Sequence, residues 1–124
     1  MARILLVDDE EPIRGFLKRG LEIDGHEVET AMDGGDALDR LTERNGAFDL
    51  LLTDIRMPIM DGIALALAAK RDYPDLTILL MTGFADQRER ATGLSAIVHD
   101  VVTKPFSVAD IRTAVADALA ARKT

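Results

Sequence analysis

A chain of 124 residues with 48% hydrophobic content makes one domain that can bury a core without covalent staples. The absence of cysteine removes both a disulfide framework and a thiolate metal site and points to the cytoplasm. With 15 basic against 22 acidic residues, a net charge of −7 and only five aromatic residues, there is no basic patch or stacking platform for nucleic acid. No run reaches the ~18 apolar residues of a membrane span, and Met1-Ala2-Arg3-Ile4-Leu5-Leu6-Val7 is too short for a signal peptide.

Arg3 to Val7 reads as a first strand, stopped by Asp8-Asp9-Glu10-Glu11. Pro12 suits the first turn of a helix, and Ile13, Phe16, Leu17 and Leu21 give it one apolar stripe that Asp24-Gly25 closes. Glu27 to Ala31 alternates acids with Val28 and Thr30, which predicts a strand nearer a sheet edge. Asp33-Gly34-Gly35 leads into a second helix with Ala37, Leu38 and Leu41, ended by Asn45-Gly46. Phe48 to Thr53 is the third strand, apolar enough to be buried on both faces. Asp61 is placed to cap a third helix from Ile63 to about Asp72, which Tyr73-Pro74 stops.

Leu76 to Met81 predicts a fourth strand, followed by Thr82-Gly83, a short polar helix over about Asp86 to Thr92, and a fifth strand from Ile97 to Val102. Ser107-Val108-Ala109-Asp110 resembles a capping box that opens a fifth helix with Val108, Ile111, Val115, Ala118 and Leu119 on one face. Five strand-helix alternations with short connections imply an α/β fold, a doubly wound, five-stranded parallel sheet with five helices.

Polar groups stand at four strand ends: Asp8 and Asp9 after the first, Asp54 after the third, Thr82 after the fourth and Lys104 after the fifth. In a parallel sheet these ends share one edge, and a strand order of 2-1-3-4-5 brings Asp8, Asp9 and Asp54 together at the switch point. Three carboxylates so close repel unless a cation neutralises them. Mg²⁺ is the simplest, with Asp9 and Asp54 as direct ligands, the carbonyl of Arg56 as a third oxygen and Asp8 acting through water. Taken alone, the acid run reads equally well as helix-start residues favoured by the dipole. The set suits phosphoryl transfer onto a carboxylate, with Asp54 as nucleophile and Lys104 and Thr82 holding the phosphoryl oxygens. A carboxylate is already ionised at neutral pH, so no histidine is required. His26 reads as a solvated turn residue and His99 as a surface residue or a phosphodonor.

Leu6-Val7-Asp8-Asp9-Glu10, Asp54 with Met57-Pro58 and Met60-Asp61-Gly62, Met81-Thr82-Gly83 and Lys104-Pro105-Phe106 together resemble the CheY-like receiver domain of bacterial response regulators, over essentially the whole chain. The resemblance implies a flavodoxin-like fold and a phosphoryl group accepted on Asp54, with Mg²⁺, from a sensor histidine kinase or a histidine phosphotransfer protein. It makes Lys104-Pro105 a candidate cis peptide. It also implies a switch that draws Thr82 towards the site and repacks the surface of the fourth helix, fifth strand and fifth helix. The family often carries Tyr or Phe where this chain has Val101, so an aromatic rotamer switch is not expected here.

Arg56 and Phe84 would flank the phosphoryl group and set its lifetime. Because the sequence ends with the fifth helix, a stand-alone receiver is expected, although a receiver cut from a longer regulator would look the same. Val101 with Thr82-Gly83-Phe84-Ala85 is similar to the CpdR type of single-domain regulator, a protease adaptor. The expected partner is a protein that reads the switch, with the chain a monomer or a phosphorylation-dependent dimer. The competing readings are a phosphate sink or shuttle without output, a haloacid-dehalogenase-like phosphatase, and a plain metal-binding or structural module. The phosphatase needs an Asp-x-Asp pattern after the first strand, which Asp8-Asp9-Glu10 does not supply.

Overall fold

The apolar runs of the sequence become five parallel strands of one sheet: β1 (Arg3–Val7), β2 (Glu27–Ala31), β3 (Leu50–Asp54), β4 (Thr77–Thr82) and β5 (Asp100–Thr103), in the order β2-β1-β3-β4-β5. The computed structural model describes residues 2–83, 93, 94, 96–103 and 106–121. Four helices lie among the described residues: α1 (Glu11–Ile23), α2 (Gly34–Glu43), α3 (Gly62–Asp72) and α4 (Val108–Ala121). α4 is the fifth helix of the sequence reading; the fourth, expected over about 86–92, falls outside the described residues.

Every residue of β3 is buried, whereas β2 is mostly half-exposed, as the apolar run and the alternating pattern require. Strand side chains alternate between the two faces and so build two cores. Leu5, Val7, Leu51, Ile78 and Leu80 meet Ala37 and Leu41 of α2 and Leu65, Ala66 and Ala69 of α3. Ile4, Leu6, Leu50, Leu52, Leu79 and Met81 meet Leu17 and Leu21 of α1 and Ile111, Val115 and Ala118 of α4. Burying one such side chain contributes about 2 kcal/mol, which is why the leucine run takes the centre of the sheet.

The helix ends follow local chemistry. Asp33 accepts the Asp36 N–H at 2.8 Å and Asp61 accepts the Ala64 N–H at 2.8 Å, each satisfying a donor that a helix start leaves open. Ser107 Oγ accepts the Asp110 N–H at 3.1 Å, and the Asp110 carboxylate accepts the Ser107 N–H at 2.9 Å, so the expected capping box is present. α2 ends where Asn45 and Gly46 enter the left-handed region, with φ of 52° and 69°.

Three expectations are corrected. β5 begins at Asp100 rather than Ile97, because the Ile97 and Val98 N–H groups both donate to the Leu94 carbonyl, at 2.8 and 2.9 Å, in a turn. β3 begins at Leu50 rather than Phe48, whose N–H is taken by the Gly46 carbonyl at 2.7 Å. His26 is not simply solvated: half-buried, it accepts the Ala2 N–H on Nδ1 at 3.1 Å and so holds the start of β1. His99 is exposed and lies just before β5, at the sheet edge opposite Asp54.

α1 and α4 pack closely because Gly20 carries no side chain: a Cβ there would lie 2.2 Å from Val108 Cγ2. Arg112 of α4 also donates to Asp24 at the end of α1, at 2.9 Å through Nε, and this hydrogen bond holds the Asp24 carboxyl below its ordinary range. Gly20→Ala is expected to destabilise the fold by about 1–3 kcal/mol through overpacking. Adding Val108→Ala should recover part of that loss, as a urea-denaturation double-mutant cycle would show.

Candidate functional site

The carboxyl edge of the sheet carries the charged residues. β1 and β3 are in register through Val7↔Thr53, so continuing that register sets Asp8 beside Asp54. Both are buried, at 0% and 5% exposure, while Asp9 and Glu10 are exposed. Carboxylate oxygens of Asp8, Asp9 and Glu10 lie within 4.8 Å of one another. The backbone fixes this turn: Asp8 Oδ1 accepts the Glu10 N–H at 2.9 Å, the Asp8 carbonyl accepts from Arg14 Nη1 at 2.7 Å, and the Asp8 N–H donates to the Ala31 carbonyl at 3.3 Å.

Acids crowded in this way, two of them away from water, are costly unless a cation shares the site. The donor set consists of hard oxygens, which suits a hard divalent cation rather than a soft one. Glu10 joins this cluster although the sequence reading named no role for it. It occupies the N-cap position of α1 without making a side-chain cap bond, so its carboxylate is not diverted to the helix end. The unbroken acid run was its only signal.

Thr82 ends β4, fully buried. Asp54 pairs with Met81, which places Thr82 one residue beyond it on the neighbouring strand, and Thr82 pairs in turn with Thr103. Lys104 follows Thr103 in sequence but, like Phe84 and the Lys104-Pro105 bond, lies outside the described residues. Val101 pairs with Leu80 and packs, half-buried, against the core under α2 and α3. Arg56 is exposed in the loop after Asp54.

The main chain around Asp54 is held from several sides. The Ile55 N–H donates to the Met81 carbonyl at 3.0 Å, and the Gly62 N–H donates to the Ile55 carbonyl at 2.7 Å. Thr53 Oγ1 donates to the Asp54 carbonyl at 2.9 Å and lies 3.8 Å from Met57 Sδ. A Cβ at Gly62 would stand 2.2 Å from the Asp54 carbonyl oxygen, so only glycine lets α3 start this close to the strand. Sequence reasoning placed Thr53 in the strand and named Gly62 only within a motif; neither residue type reveals a contact made only after folding.

Between them the loop turns sharply at Ile59. The Met60 N–H donates to the Pro58 carbonyl at 2.8 Å across Ile59, whose φ is 71° and which is 87% exposed. A β-branched residue in this left-handed γ-turn is strained. Ile59→Gly should therefore raise stability, by about 1 kcal/mol, and shift the urea midpoint upwards without changing the slope.

A receiver-domain fold with buried acids at its switch point is thus in place. The family model of the response regulator receiver domain matches residues 4–116. The chain belongs to that family, whose members are signalling domains of two-component systems. It is 42% identical over 111 residues to the response regulator receiver protein CpdR of Brucella abortus, covering 90% of this chain and 91% of that one. It is 35% identical over 109 residues to the transcriptional regulatory protein PrrA of Mycobacterium tuberculosis, covering 88% of this chain and 46% of the relative, so it spans about half the length of such regulators.

Among solved structures it resembles a response regulator receiver domain protein of Clostridium thermocellum, with a TM-score of 0.89, 30% identity and coverage of 99% and 98% of the two chains. It also resembles TrrA of Thermotoga maritima, solved with Mg²⁺-BeF, with a TM-score of 0.83, 33% identity and coverage of 94% and 98%. Among the described residues no helix is long and apolar enough to cross a membrane.

Proposed function

We propose that this receiver is a phosphorylation-dependent switch whose phosphoacceptor is Asp54. The observation that carries the reading is the place of Asp54, nearly buried, one step beyond the Val7↔Thr53 pair and so level with Asp8 on the adjacent strand, with Asp8 itself clustered with Asp9 and Glu10 in the following turn. A carboxylate oxygen of Asp54 attacks the phosphorus of a phosphohistidine on a sensor kinase or histidine phosphotransfer protein. The phosphorus–nitrogen bond breaks and the imidazole leaves with its electron pair.

The carboxylates of Asp9 and Asp54, the Arg56 carbonyl and, through water, Asp8 would hold Mg²⁺. Bound there, the ion neutralises charge on the acids and on the phosphoryl oxygens. The Mg²⁺-BeF held by TrrA supports this choice of ion. Thr82 and Lys104 bind the phosphoryl oxygens, and the movement of Thr82, passed to Val101 on the next strand, alters the surface that a protein partner reads. We read the output as binding of a protein partner, with the protease-adaptor role that the resemblance to the CpdR type implies; the CpdR relative is matched over 91% of its length. The protein works in the cytoplasm as a monomer or as a dimer formed on phosphorylation.

Incubation with Mg²⁺ and acetyl phosphate or phosphoramidate should add one phosphate, read by intact mass spectrometry. Asp54→Ala or removal of the ion with a chelator should abolish the adduct. Absence of an adduct with either donor overturns the reading, and rapid turnover of an added phosphate ester would point instead to a phosphatase.

Arg56 and Phe84 limit the approach of hydrolytic water. Arg56→Ala and Phe84→Ala are expected to lose phosphate several-fold faster than the parent in a time course after donor removal; loss at the parent rate would remove that role.

A further inference from the structure

Two peptide units flank Asp9 and set the direction in which its side chain leaves the main chain. The Asp9–Glu10 unit is held through its N–H, which donates to Asp8 Oδ1 at 2.9 Å. The Asp8–Asp9 unit is held through its carbonyl, which accepts from Arg14 Nη1 at 2.7 Å. The first bond lies within the acidic turn itself, but the second comes from α1, six residues further along the chain. Arg14 is a firm place to hold it from, because its own N–H donates to the Glu10 carbonyl at 3.0 Å in the first turn of the helix. Asp9 is thereby fixed on both sides while its carboxylate stays exposed.

A guanidinium this close to Asp8, Asp9 and Glu10 has two opposed effects on an added cation. It orients a ligand, and it repels the ion. Arg14 is only half-buried, so solvent and salt screen its charge, whereas the hydrogen bond fixes a direction that screening does not touch. The ion decides how much that direction is worth. Mg²⁺ demands near-ideal octahedral geometry at about 2.0–2.1 Å, while Ca²⁺ accepts about six to eight oxygens in flexible arrangements. A peptide unit left free to rotate beside Asp9 is therefore a large loss for Mg²⁺ and a small one for Ca²⁺. Repulsion acts on both ions alike.

We propose that Arg14 is a positioning residue that makes the acidic edge selective for Mg²⁺ over Ca²⁺, by holding the Asp8–Asp9 peptide and through it the carboxylate of Asp9. The inference rests on the reading of Asp9 and Asp54 as ligands of Mg²⁺. Arg14 acts one layer behind those ligands, and removing such a partner typically lowers metal affinity about tenfold to a hundredfold.

The test is a titration of the isotope-labelled full chain with magnesium chloride or calcium chloride, followed by NMR at the amides of Asp9 and Glu10. Arg14→Met keeps the apolar stem and removes the donors, and Arg14→Ala removes both. In each variant the Kd for Mg²⁺ is expected to rise at least about tenfold and that for Ca²⁺ by less than about threefold, with the urea midpoint in chelator unchanged in Arg14→Met. An unchanged or tighter Mg²⁺ affinity overturns the proposal, since it leaves charge as the only effect of Arg14. Weakening of both ions by the same factor, with a lowered urea midpoint in chelator, overturns it as well and leaves a merely structural role. The parent separates this inference from the reading beneath it. A parent that binds no Mg²⁺ overturns both, whereas a parent that binds Mg²⁺ and takes up phosphate, beside variants that bind both ions as it does, overturns the role of Arg14 alone.

Discussion

Two acidic residues, Asp8 and Asp54, stand level with each other at the ends of adjacent strands, both buried. Like charges in that position raise each other's cost, and the surrounding structure is what keeps them there. The sheet supplies the placement, because only a parallel arrangement with β1 next to β3 brings both strand ends to one edge. Asp9 and Glu10 add negative charge rather than relieve it. A donor set of hard oxygens of this kind accommodates a hard cation, so the fold and the chemistry of its edge reduce to the same constraint.

The main chain around that pair is held from several sides. Met81, Gly62 and Thr53 each fix a backbone group next to Asp54, and behind them two cores clamp the sheet from both faces. The loop that follows stores strain at Ile59. A firmly held buried acid beside a strained loop is an arrangement in which small changes in charge have somewhere to act.

Much of this was legible in the residue pattern. The parallel, doubly wound sheet followed from five alternations of strand and helix, the order 2-1-3-4-5 entered as the arrangement that joins the acids, and the acids at strand ends marked the edge that matters. The caps at Asp61 and Ser107 were readable because their chemistry is local. What stayed hidden was set by folding: Gly62 against the Asp54 carbonyl, Gly20 against Val108, and the Ala2 N–H on His26 join residues eight or more positions apart. The start of β5 was misplaced because Ile97 and Val98 are apolar yet fold into a turn, and hydropathy does not separate those cases.

The contact at Gly20 bears on how the molecule is read from outside. With no side chain between them, and with Arg112 tied to Asp24, α1 and α4 have little room to slide independently. A protein that grips α4 therefore also feels the start of the chain, since α1 begins directly after the acidic turn at Asp8–Glu10. Geometry alone makes that pair of helices a single lever between the acidic edge and one flank of the domain.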